Sequence, residues 1–142
     1  MKISENYKQF IDKSALIIVS AEKAANIYAV LSGEINLISE IKAPEVHYSD
    51  KEGRFGHELG GAPLSKLEEM EKRDFAVELE KYLETNWKSE YEEVFILTTK
   101  QDKTTILEAI PPQAKKVIVS DRFGNYTKAN PFEILEILTH SV

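Results

Sequence analysis

The sequence predicts a single α/β domain, a mixed sheet of about five strands with helices on both faces. Three observations predict it. Short apolar runs of strand length recur at residues 15–20 (ALIIVS), 93–99 (EVFILTT) and 116–120 (KVIVS), and a run without alternation suits a strand covered on both faces. The later runs are separated by stretches with helical spacing, so their strands should be parallel and joined by crossovers. Earlier, Ser32-Gly33 splits two β-rich segments and marks a hairpin, hence an antiparallel first half.

Size and composition set the outer bounds. A chain of 142 residues holds one domain with a core of its own. The expected division is an N-terminal helical extension over residues 1–13 and the α/β domain over 14–142, with a long loop at 44–64. There are no cysteines, which excludes disulfides and thiolate zinc sites and fits a reducing compartment. The longest apolar run, residues 15–19, is far short of a membrane span, and no signal peptide precedes it. A cytoplasmic protein with no membrane partner is therefore expected.

Net charge is −6, and residues 67–93 carry all of it, with ten acidic and four basic side chains. Such a face repels phosphate, which argues against broad nucleic-acid binding there and against a DNA partner.

Taken in order, Ile3, Tyr7, Phe10 and Ile11 have the spacing of one helical face and predict a short N-terminal helix. Residues 15–20 form a central strand. Residues 26–31 and 34–41 form the hairpin; in the second arm Ile35 and Leu37 alternate with Asn36 until Ile38 breaks the pattern. Residues 44–64 follow with little periodicity and four of the six glycines. A loop this long within a compact domain is usually functional or disordered, and residues 53–62 are expected to be its least ordered part.

Ser65 and Glu68 suit a capping box. They open a helix to about Asn86 with a buried stripe of Phe75, Ala76, Leu79 and Leu83; Leu67 and Met70 lie off that stripe. After the 93–99 strand, residues 102–110 are helical and end at Pro111-Pro112. The 116–120 strand should be buried beside the other two apolar runs. Asn130 as cap, Pro131 at the first helical position and Glu133 at the third open the last helix, with Ile134, Leu135 and Leu138 inward.

The search for chemistry excludes more than it finds. His47, His57 and His140 lack the close spacing of a zinc motif, and no metal or other cofactor is expected. A labile site of His47 and His57 with Asp50, Glu52 and Glu58 is the competing reading. There is no G-x-S-x-G elbow. Gly60-Gly61 before a helix superficially suits phosphate, but no G-x-G-x-x-G or Lys-Ser/Thr pair accompanies it, and Pro63 removes an amide donor. Asp121 would follow a strand's carboxyl end, where α/β sheets place ligand-binding residues. The stretch DRFGN (residues 121–125) is rich in turn residues, so turn chemistry is the preferred reading of Asp121.

In element order and in several short stretches the chain resembles the bacterial host attachment protein family. That family is a branch of the release-factor-like families, which are similar to the middle domain of the eukaryotic and archaeal peptide-chain release factor. The resemblance covers about residues 14–140. It rests on LIIVSAEKAANIYAV (16–30), SDKEGRF (49–55), RDFAVELEKYL (73–83) and the closing VIVSDRFGNYTKANPFEILEIL.

In active release factors the corresponding loop carries Gly-Gly-Gln, whose glutamine helps water attack the peptidyl-tRNA ester. Here Gly60-Gly61 match and Ala62 stands at the glutamine position, followed by Pro63. Alanine has neither donor nor acceptor, so release-type hydrolysis is not expected. The resemblance implies a catalytically degenerate domain with no catalytic residue, reaching a ribosome or tRNA through loop 47–66. Its three basic and three acidic side chains make that loop the least acidic large surface. Lys51, Arg54, His57, Gly60 and Gly61 are its candidate binding residues. A protein-interaction factor indirectly linked to host or surface attachment is the alternative. A small-substrate hydrolase using the loop and Asp121 ranks third.

Overall fold

The computed structural model describes residues 2–3, 7–21, 24–42, 64–87 and 91–139. All five strands lie in one sheet of order β3-β2-β1-β4-β5. β1 (Ala15–Ala21) pairs antiparallel with β2 (Ala24–Leu31), which pairs antiparallel with β3 (Glu34–Lys42). On its other side β1 pairs in parallel with β4 (Glu93–Thr98), and β4 with β5 (Ile118–Phe123). The mixed sheet, antiparallel first and parallel later, is the one the sequence predicts.

Each predicted turn and cap has a physical counterpart. Ser32 and Gly33 join β2 to β3 with φ of 53° and 77°. Two consecutive positive φ values match the right-handed twist of hairpin strands. The Ser20 hydroxyl donates to the Ala24 carbonyl at 2.9 Å and ties β1 to β2. At the last helix, α5 (Pro131–Thr139), the Glu133 amide donates to Asn130 Oδ1 at 2.9 Å and the Asn130 amide to Glu133 Oε1 at 3.2 Å. These two bonds satisfy amides that the helix leaves unpaired, as in a capping box.

Helices cover both faces of the sheet. On one face Leu16, Ile18, Ile27, Val94 and Ile96 pack with Phe75, Leu79 and Leu83 of α2 (Leu64–Asn86), Ile106 of α3 (Lys103–Ala109) and Ala114 of α4 (Pro112–Lys115). On the other, Ile17, Val19, Val30, Phe95 and Leu97 pack with Ile134, Leu135 and Leu138 of α5 and Phe10 of α1 (Lys8–Ile11). The Phe10 and Phe95 rings meet edge to face, with centroids 5.5 Å apart, a preferred aromatic arrangement. Both core faces therefore draw on helices far apart in sequence.

Four local expectations need correction. The N-terminal helix is one turn, Lys8–Ile11. Ile3 is not on it: its amide donates to the Gly33 carbonyl at 2.8 Å and Lys2 bridges to Glu34, so the segment is bound to the hairpin. Ala76 is only half-buried beside Phe75, Leu79 and Leu83. The break at Pro111-Pro112 is real, but Pro112 also starts a new turn, α4, because a proline is compatible with the first helical position.

The fourth correction is the largest. The strand expected at residues 116–120 runs Ile118–Phe123 and is the sheet edge, though it does neighbour β4. Val94 pairs with Ile118 and Phe95 with Ser120, so Val119 is a one-residue bulge and is 56% exposed. The strand continues through Asp121 and Arg122, which hold ladder positions opposite Ile96 and Leu97. Asp121 is a strand residue, and the turn begins at Gly124.

Candidate functional site

β1, β3, β4 and β5 all run in one direction, so their carboxyl ends gather at one end of the sheet. Crevices at such ends are where α/β sheets bind ligands. Loop 44–64 departs there, directly after Lys42, and the chain returns on α2 at Leu64. Lys51, Arg54, His57, Gly60, Gly61 and Ala62 lie outside the described residues, as do His47 and His140. Ser65 and Glu68 fall within the first turns of α2, which starts one residue before the predicted cap.

The helix that receives the loop, α2, has 23 residues. Within its residues 70–86, Phe75, Leu79 and Leu83 are buried, while Met70, Lys72, Arg73 and Asp74 are exposed. A rise of about 1.5 Å per residue places Leu64 about 16 Å beyond Phe75 along the helix axis. From there α2 descends toward the amino end of β4, so its first turns lie at the carboxyl end of the sheet.

A second group of side chains gathers at the same end, around the β4–α3 turn and the end of β5. The Thr99 hydroxyl donates to Asp102 Oδ2 at 2.7 Å, and Asp102 is buried. The Lys100 and Lys103 ammonium groups lie 5.6 Å and 5.2 Å from the centre of the Phe123 ring, within the range of cation–π attraction. Thr98 Oγ1 and Arg122 Nε are buried without a hydrogen-bond partner among the described residues. They lie on opposite faces, since Thr98 pairs with Phe123 and Leu97 with Arg122.

The Asn26 side-chain amide donates to the Thr127 carbonyl at 3.0 Å and holds the loop after β5 across the sheet end. Sequence reasoning missed Lys100, Lys103 and Phe123. The available signal was the Lys-x-x-Lys spacing opening a helix, close to an aromatic that ends a strand.

Among the described residues no three or more His, Asp or Glu side chains come together as a metal site. Nor is any helix among them long and apolar enough to cross a membrane.

The described residues define a class: a five-stranded mixed α/β sheet with helices on both faces. No protein family and no curated protein matches the sequence. Solved structures are similar to it in fold alone. The chain is similar to an archaeal translation termination factor, aRF1, at 9% identity and a TM-score of 0.40, over 93% of this chain and 40% of that one. It is similar to Dom34 of S. cerevisiae, a translation termination-like factor, at 11% identity and a TM-score of 0.39, over 94% and 38%. An archaeal protein matches at 12% identity and a TM-score of 0.45, over 90% and 34%. The chain thus spans well under half the length of each.

Proposed function

We propose that this chain is a catalytically degenerate release-factor-like domain of the host attachment kind, and that it associates with a ribosome or tRNA through loop 47–66. One structural observation carries the reading. The chain leaves the carboxyl end of β3 at Lys42 and returns at Leu64 on the 23-residue helix α2, and this tethering of loop 47–66 at the end where α/β sheets bind their ligands supports the reading. The sequence resemblance supplies the chemistry. Gly60-Gly61 stand where the family's motif has its glycines, and Ala62 where it has glutamine.

The acidic outer face of α2, with Glu78, Glu80 and Glu84 exposed, leaves Lys51 and Arg54 as the central cations for a phosphate contact. Hydrolysis of peptidyl-tRNA is not expected, because Ala62 cannot orient a water. Sedimentation with purified ribosomes at low and moderate salt tests the reading. The protein should co-sediment at low salt, and the Lys51→Ala/Arg54→Ala variant should do so less. The salt dependence should be shallow, because few charges are involved. Absence of co-sedimentation at low salt overturns the proposal and puts a protein-interaction role in front. Robust hydrolysis by the wild type overturns the argument from Ala62.

A further inference from the structure

The end of β5 offers a binding surface separate from the loop. Phe123 is 42% exposed, a large apolar ring left at the surface. Its position is nonetheless fixed by the backbone. The Gly124 amide donates to the Thr98 carbonyl at 2.9 Å, and the Tyr126 hydroxyl donates to the Phe123 carbonyl at 3.4 Å. Gly124 has a φ of 151°, and a Cβ there would come within 2.8 Å of the Tyr126 ring. Tyr126 is therefore packed directly against the turn that presents Phe123.

Two ammonium groups share that one ring, from Lys100 and Lys103. Residues 98–105 and 121–130 carry four cations, Lys100, Lys103, Arg122 and Lys128, against two carboxylates, Asp102 and Asp121. The Thr99 hydroxyl already engages one of those carboxylates, Asp102. These two segments thus carry a net positive charge on a chain whose net charge is −6.

We propose that Phe123, Lys100 and Lys103 form a site for single-stranded nucleic acid, with a base stacked on the ring and the flanking phosphates on the two ammonium groups. The chemistry fits on both counts. Every base has a face that stacks on an aromatic ring, and cations interleaved with aromatics follow a phosphate backbone. A duplex is a poor ligand, because its bases are already stacked on one another. Charge alone would accept an acidic peptide equally well; the positioned, half-exposed ring is what selects a base. The site does not depend on the loop proposal: it should survive Lys51→Ala/Arg54→Ala, and a failure with ribosomes leaves it standing.

Fluorescence anisotropy with labelled oligouridine and oligodeoxythymidine, at about 50 mM salt where such contacts are strong, is the test. Binding is expected, and the tighter of the two oligomers assigns the sugar. Phe123→Ala should weaken it about tenfold or more. Lys100→Ala/Lys103→Ala should lower the slope of log affinity against log salt by about one to one and a half. Should Phe123→Ala fail to fold, Phe123→Trp in a Trp87→Phe background keeps the site, and its fluorescence should be quenched by the oligomer. The proposal is overturned by no binding at low salt, by binding that survives both variants, or by oligoglutamate of matched charge binding as tightly.

Discussion

β3 and β5 close the sheet on its two sides, and each carries a single-residue bulge at an apolar position. Ile38 is the extra residue in β3, where Ser39 pairs with Ile27 and Leu37 with Tyr28; Val119 is the extra residue in β5. Bulges are common at sheet edges, where they spoil the template for a further strand. The two edges are finished differently. β3 is long and antiparallel, Lys2 bridges to its start, and a hydrogen bond joins Ser39 to Tyr82 of α2. β5 is short and parallel and ends in Phe123 under two lysines. One edge is met in part by neighbouring backbone and helix, with Leu37 and Ile38 left exposed, and the other carries two lysine ammonium groups over an exposed ring.

The largest effects should come from the strands and helix between the edges, which calibrate them. Ile96→Ala in β4 and Phe75→Ala or Leu79→Ala in α2 remove nearly fully buried side chains and should each cost about 2–5 kcal/mol. Ile35 is equally buried although it lies on the β3 edge, because Phe10 and Ile3 share its cluster. Ile35→Ala should therefore cost about 2 kcal/mol or more. Urea midpoints measure these costs. An Ile35→Ala midpoint equal to wild type would mean that the N-terminal segment does not seal the β3 edge.

The difference between the edges also explains what the sequence disclosed. In β3 the alternation of Ile35 and Leu37 with Asn36 suggests a strand covered on one face, and its break at Ile38 falls on the bulge, but of that pair only Ile35 is buried and Leu37 is 45% exposed. Antiparallel edges are legible in this way because one face meets water. The run KVIVS has no alternation and reads as central, yet β5 is an edge. Val117 and Ile118 pack against the core on one face of the sheet and Val119 is exposed at the bulge, so an apolar run alone does not separate a central strand from an edge. Asp121 and Arg122 read as turn residues for a related reason: charged residues are tolerated in an edge ladder, and composition does not separate an edge from a turn. The hairpin and the last helix were legible because Ser32-Gly33 and Asn130-Pro131-Phe132-Glu133 act locally. The cluster at Lys100, Lys103 and Phe123 was not, because parallel pairing of β4 with β5 brings it together.

Smaller effects separate the edges further. Gly124→Ala should cost about 1–3 kcal/mol, since a side chain there is strained in backbone conformation and meets Tyr126. A neutral result would mean that the turn presenting Phe123 is not held as described. Asn130→Ala removes a helix cap and should cost about 1 kcal/mol. Val119→Ala, at an exposed bulge, should stay within about 0.5 kcal/mol of wild type. A cost near that of Ile96→Ala would show that something covers the β5 edge in solution.

The smallest effect appears only in alkali, and it belongs to the β3 side. Burial, and then the charge of Glu40 on β3, raise the pKa of Tyr28 above the ordinary phenol value. A phenol whose folded pKa is raised holds its proton more tightly in the folded chain than in the unfolded one. Its contribution to stability is complete below the ordinary value of about 10 and is lost as pH rises beyond it. Tyr28→Phe should therefore leave the urea midpoint near neutrality almost unchanged and make its decline above about pH 10 shallower. Lys13, whose pKa is raised first by its hydrogen bond to Glu93, loses stability in the same direction and remains in the variant, so the difference between the two proteins isolates Tyr28. Glu40→Gln should act in the same sense more weakly, because it removes the lesser of the two causes. Equal alkaline slopes for wild type and Tyr28→Phe would mean that Tyr28 is as well hydrated as a free phenol, and β3 would then be no better closed than β5.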